Sequence, residues 1–120
     1  MNLEKTIFIS DMDETLFDNE KHISDRNLKA IMEYQKKGGF FTVATGRSII
    51  GFRSYRDILN IQMPVILYNG SCIYDYQKEK IIWVNLLPKE VKTYIQKLVE
   101  KFSKLGMQIM TESGIYSYRP

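Results

Sequence analysis

The 120-residue chain is poor in the residues and runs that mark several common protein classes. Cys72 is its only cysteine, which excludes a disulfide framework and a thiolate zinc cluster and fits a reducing cytoplasm. His22 is its only histidine, and neither it nor Cys72 has a partner at useful spacing, so both read as structural. No apolar run reaches the length of a membrane span, and the N-terminal run is too short for a secretory signal. Internal repeats and low-complexity tracts are also missing. The net charge is only +3, from 17 Lys and Arg against 14 Asp and Glu, and the basic residues are scattered among acidic ones. That describes a solvated surface and argues against nucleic acid as a partner. With 44% apolar and 26% charged residues, the composition is that of one small globular domain with a modest core.

The stretch that organises the rest is Thr6-Ile7-Phe8-Ile9-Ser10, a β-prone apolar run ending in Asp11-Met12-Asp13-Glu14-Thr15-Leu16. If the extended backbone persists, Asp11 and Asp13 project the same way. Two carboxylates about 4 Å apart at an effective dielectric near 20 repel by roughly 4 kcal/mol, so a cation or a shared proton is expected between them. Hard oxygen ligands of this kind suit Mg²⁺. The plainer reading is that Asp and Thr serve as turn and cap residues at a strand end.

Further along, Ser24 is a candidate N-cap, with Asp25 complementing the helix start and Ile23 positioned to staple onto Leu28. The helix is expected over 25–37, burying Leu28, Ile31, Met32 and Gln35 and stopping at Gly38-Gly39. Residues 40–44 lack alternation, as in a parallel strand covered on both faces. Strand, helix, strand is a right-handed crossover, which brings both following loops to one rim of the sheet, where ligands bind in open α/β folds. Thr45-Gly46-Arg47-Ser48 opens a second helix, with Ile50, Phe52, Ile58 and Leu59 available for burial. A helix start with a hydroxyl is a natural anion seat; read plainly, Thr45 is a cap and Arg47 a surface cation. Residues 64–68 read as a third parallel strand ending in the turn Asn69-Gly70, followed by a hairpin of 71–74 and 80–84. Pro88 fits the first turn of a helix whose apolar stripe is Val91, Ile95, Leu98, Phe102 and Leu105, ending at Gly106, before strands at 107–110 and 115–118.

The apolar strand with Asp-x-Asp-x-Thr-Leu, and the later Thr45-Gly46-Arg47 after a second apolar run, together resemble the haloacid dehalogenase-like superfamily of phosphotransferases. The Asn69-Gly70 turn and the hairpin after the third strand resemble its type II capped phosphatases, subtype B. The resemblance implies an α/β fold: a partial Rossmann-like parallel sheet (β-α-β-α-β) in 1–84, then a hairpin and the first part of an α/β cap in 85–120. It implies that Asp11 is a nucleophile giving an aspartyl-phosphate, that Asp13 is the acid and base, and that both help hold Mg²⁺. Thr45 and the backbone N–H groups around Met12, Asp13 and Gly46 would hold the phosphate, with Arg47 and Asn69 at the substrate mouth. The implied substrates are small phosphorylated metabolites such as sugar phosphates.

Glu14 departs from the pattern, which commonly has glycine there. A later lysine and a further acidic ligand are missing, so the sequence reads as the N-terminal portion of a longer phosphatase or a truncated product, weakly active or inactive alone. The missing strands would leave a sheet edge open to association with another chain. Two alternatives stay open: a receiver-like phospho-acceptor signalling domain, which needs a further Asp at the end of a middle strand, and a non-catalytic binding or assembly module.

Overall fold

A computed structural model describes residues 3–119. Strand β1 (Ile7–Ser10) leads through the acidic loop to helix α1 (Asp25–Lys36), strand β2 (Phe40–Val43) and helix α2 (Ile49–Ile58). Strand β3 (Val65–Leu67), a single 3₁₀ turn (Tyr68–Gly70), β4 (Cys72–Asp75) and β5 (Lys80–Val84) come next. Helix α3 (Val91–Lys101) and the hairpin β6 (Met107–Thr111) and β7 (Gly114–Tyr118) complete the chain.

β1 and β2 pair in parallel, Ile7 opposite Phe40 through Ser10 opposite Val43. The parallel set extends to β3 by one bridge, Ala44 opposite Ile66, reinforced by the Thr45 N–H donating to Ile66 O (2.9 Å). The third strand therefore joins the parallel sheet at one point only. Its ladder is antiparallel, with β4, so the expected hairpin is part of a three-stranded meander, with a register shift between Ile73 and Tyr74. The result is a partial Rossmann-like α/β fold in which the first three strands end on the same rim.

Local chemistry accounts for the elements. The Ser24 hydroxyl accepts from the Asn27 N–H (3.2 Å) at the start of α1, and Gly38, at φ +87°, takes the left-handed turn that ends it. Gln35 ties α1 to the end of α2 by donating to Leu59 O and Asn60 O. Met12, Val43, Phe52, Val65 and Leu67 are fully enclosed and form the centre of the core, between the parallel strands, α2 and the meander.

Burial departs from expectation in ways that follow from which surfaces have neighbours. Ile7, Phe8 and Ile9 are each about half exposed, because β1 is paired on one edge alone; only Ser10 of that strand is buried. Met32, Ile50 and Ile58 are exposed too, since the inward faces of their helices are carried by Ile31, Ile49 and Phe52. Thr45 does not cap α2. The strand-like pairing of Ala44 draws it into the sheet rim, and Ser48 caps instead, accepting from the Gly51 N–H (3.0 Å). Pro88 lies ahead of α3 in a tight turn, its carbonyl accepting from the Val91 N–H (3.0 Å). α3 ends at Lys101, short of Gly106, and buries no residue; Leu98, Phe102 and Leu105 of its stripe are exposed because little is packed against them. Phe17, expected in an irregular polar loop, is buried and bridges antiparallel to Ile23. No helix among the described residues is long and apolar enough to cross a membrane.

Candidate active site

The acidic loop is anchored by the residue between its two carboxylates. Met12 has no exposed surface, and its carbonyl accepts from the N–H groups of Thr15, Leu16 and Phe17 (3.3, 2.9 and 3.0 Å), closing the chain into a tight turn. With Met12 pointing inward, strand alternation turns Asp11 and Asp13 outward on either side of it. The Met12 N–H donates to Asp11 Oδ1 (2.6 Å), fixing that carboxylate at the strand end. Glu14 follows at φ +62°, the left-handed region that favours glycine, and its side chain is exposed and does not line the cavity described next.

An open cavity of about 540 Å³ lies where β1, β2 and β3 finish. Asp11, Asp13, Thr45, Gly46 and Asn69 line it, together with Ala44, Ile66 and Gly70. Five residues singled out from the sequence thus meet at one surface. Thr45 is buried, and its Oγ1 accepts from the Arg47 N–H (3.3 Å). The Asn69 N–H donates to Thr45 O (3.2 Å) and the Tyr68 N–H to Arg47 O (3.1 Å), so the turn after β3 holds the loop after β2. Gly46 is where the two loops touch: a Cβ there would stand 2.7 Å from Asn69 Oδ1, closer than real Cβ atoms approach.

Met12 and Arg47 are not on the cavity wall. The guanidinium of Arg47 forks onto Asp13, Nη2 at 2.9 Å from Oδ1 and Nε at 3.3 Å from Oδ2. It also stands 5.0 Å from the ring centroids of both Phe17 and Tyr55. Those rings confine a planar cation that would otherwise sweep through solvent, and they aim it at one carboxylate.

Two further residues, with no signal in the sequence beyond the Asn-Gly turn, fix the start of α2. The Tyr76 hydroxyl donates to Ile49 O (2.6 Å), and the Ile49 N–H donates to the Tyr68 hydroxyl (3.2 Å). Burial pushes the Tyr76 phenol far above its usual range, so it stays a neutral donor. His22 is exposed and near Glu20, well apart from the cavity lining. Cys72 is buried, its thiol pushed up by burial and then by the charge of Glu112.

No group of three His, Cys, Asp or Glu side chains converges among the described residues. Asp11 and Asp13 bring oxygen donors to the cavity, the class of ligand that Mg²⁺ takes.

Comparison with known proteins identifies the family. The chain is 30% identical over 118 residues to a putative phosphatase of Mycoplasma genitalium, covering 98% of this chain and 41% of that protein. It is 42% identical over 65 residues to the 5-amino-6-(5-phospho-D-ribitylamino)uracil phosphatase of Bacillus subtilis, covering 54% of this chain and 26% of the other. Among solved structures, a subclass IIB sugar phosphatase of the haloacid dehalogenase superfamily superposes with a TM-score of 0.79 at 23% identity, over 97% of this chain and 45% of that one. The chain thus spans less than half the length of these relatives. Residues 8–120 match the family described as haloacid dehalogenase-like hydrolase, and with the acidic loop and the threonine loop meeting on one rim of that fold, the chain belongs to this family.

Proposed function

We propose that this chain carries the nucleophile and phosphate seat of a phosphomonoester hydrolase of subtype IIB, acting on small phosphorylated metabolites such as sugar phosphates. The observation that carries the reading is the convergence of Asp11, Asp13 and Thr45 on one cavity. With Asp11 Oδ1 held by the Met12 N–H, Oδ2 is the oxygen that attacks phosphorus. The bond from phosphorus to the leaving alcohol breaks as the aspartyl-phosphate forms, and Asp13 passes a proton to the departing oxygen. Asp13 then takes a proton from water as that water attacks phosphorus and releases Asp11.

Thr45, accepting from Arg47 through a lone pair, has its own O–H to donate to a phosphate oxygen, beside the backbone of Gly46 and the amide of Asn69. Arg47 acts on Asp13, holding its carboxylate toward the cavity mouth. Mg²⁺, held by the Asp11 carboxylate and the Asp13 backbone carbonyl, would neutralise the charge that otherwise repels a carboxylate from a phosphate dianion. Residues 1–84 then form part of the core and 85–120 the first part of the lid. The receiver-like alternative has little support, since β2 and β3 run out into Thr45 and Asn69 and neither ends in an aspartate.

The test is hydrolysis of a generic aryl phosphate in Mg²⁺ by the chain and by Asp11→Asn, with inorganic phosphate titrated against the amide resonances. The reading expects phosphate to shift the 45–47 amides and Asp11→Asn to reduce turnover to background. Asp11→Asn retaining a wild-type turnover that stands above background, or phosphate binding elsewhere on the surface, would refute it.

A further inference from the structure

Three parts of the fold meet at one tyrosine, two on its phenol and one on its backbone. The Tyr68 hydroxyl accepts from the Ile49 N–H (3.2 Å) and donates to Thr111 O (2.9 Å), at the tip of the β6–β7 hairpin. Its backbone N–H donates to Arg47 O (3.1 Å). Tyr68 therefore holds the threonine loop at one end, the first residue of α2 at the other, and the lid. Tyr76 grips the same residue through its carbonyl, yet the contacts of Tyr76 stay within the core.

The backbone at this junction is unusual. Tyr68 and Asn69 lie at φ +51° and +55°, and Gly70 at +91°, three left-handed residues in succession. Each non-glycine residue there is held in a conformation that L side chains rarely adopt and that persists only where its surroundings over-determine it. The bonds from Tyr68 to Arg47, Ile49 and Thr111, and from Asn69 to Thr45, are those surroundings.

We propose that Tyr68 is a positioning residue that couples the lid hairpin to the loop of Thr45 and Arg47, so that ordering one orders the other without any contact between lid and ligand. The loop's identity as the phosphate seat rests on the function proposed above; the mechanical coupling does not. Such coupling is reciprocal: phosphate at the loop must quieten the lid to the extent that a settled lid favours phosphate.

Amide hydrogen exchange on the whole chain tests this, with inorganic phosphate in Mg²⁺ as the ligand. Without phosphate, Tyr68→Phe keeps the ring but loses both hydroxyl bonds. Exchange in 107–118 and at Ile49 should rise about three- to tenfold, the range set by one neutral hydrogen bond. Tyr76→Phe should loosen the start of α2 and leave 107–118 as in the wild type. With phosphate bound, lid exchange should slow in the wild type and not in Tyr68→Phe. Unchanged lid exchange in Tyr68→Phe, an equal effect from Tyr76→Phe, or a wild-type lid indifferent to bound phosphate would each overturn the coupling. Absence of phosphate shifts at 45–47 in the wild type would instead reject the seat, and the phosphate-free comparison would still decide the coupling.

Discussion

Replacing Glu14 with glycine should stabilise the protein, although the substitution removes a side chain and adds no contact. Glu14 stands at φ +62°, in a turn closed by the Thr15, Leu16 and Phe17 N–H groups on the Met12 carbonyl, so its backbone cannot relax to a right-handed conformation without breaking that turn. An L-residue held there costs about 1–2 kcal/mol, a penalty glycine avoids. Glycine's greater freedom in the unfolded chain takes back about 0.4–1 kcal/mol. The difference is a net gain of about 0.5–1 kcal/mol, or roughly 2–5 °C in melting temperature for a chain of this size.

The complication is charge, because Glu14 lies next to Asp13 and removing it also relieves repulsion. Glu14→Ala separates the two causes: it removes the same charge but keeps a Cβ at the same φ. Urea unfolding of the three proteins, extrapolated linearly with a common slope, gives the comparison. The strain account expects Glu14→Gly to gain and Glu14→Ala to stay within about 0.5 kcal/mol of wild type. If alanine stabilises as much as glycine, backbone strain is not the cause and the reasoning fails.

Arg47 and Asp13 should show a modest coupling energy in a double-mutant cycle of Arg47→Ala with Asp13→Asn. The fork is well formed but Asp13 is half exposed, so about 0.5–1 kcal/mol is expected, and a value indistinguishable from zero would mean that Arg47 does not hold that carboxylate. Asp75 gives a pH dependence. Its carboxyl is held below the usual range by the Lys78 N–H above all, with the Gln77 N–H and the Lys78 ammonium adding to the effect, against the opposing influence of burial. A lowered folded-state pKa stabilises above the unfolded value, near 3.9, and that contribution disappears as pH falls through the folded one. Asp75→Asn should therefore be less stable than wild type at neutral pH, with the gap narrowing below about pH 4; a gap that stays constant down to pH 3 contradicts the assignment.

What could be read from the sequence was what depends on neighbours along the chain. The alternation that buries Met12 and presents Asp11 and Asp13, the Ser24 cap and the β4–β5 hairpin are all local. The choice between Thr45 and Ser48 as the cap of α2 was not legible, because both residue types cap helices and the decision is made by Ile66, far along the chain, pairing with Ala44. Neither reading of Arg47, a surface cation or a residue at the substrate mouth, pointed to its fork onto Asp13, for the same reason. The rings that confine it come from Phe17 and Tyr55, on different elements, and nothing in the spacing of the three residues announces that they meet. The tyrosine bonds on Ile49 are equally non-local. Exposure of Ile7, Phe8 and Ile9 was missed because periodicity shows that a strand is apolar and is silent about how many neighbours it has.

The solitary thiol has a practical use that its inertness makes possible. Cys72 is sealed in the folded chain with its proton held tightly, so an alkylating reagent must wait for the meander to open before it can react. The labelling rate at this single position then serves as a clock for opening events, read by mass alone. It can rank variants of the acidic and threonine loops under native conditions, with no denaturant and no added probe.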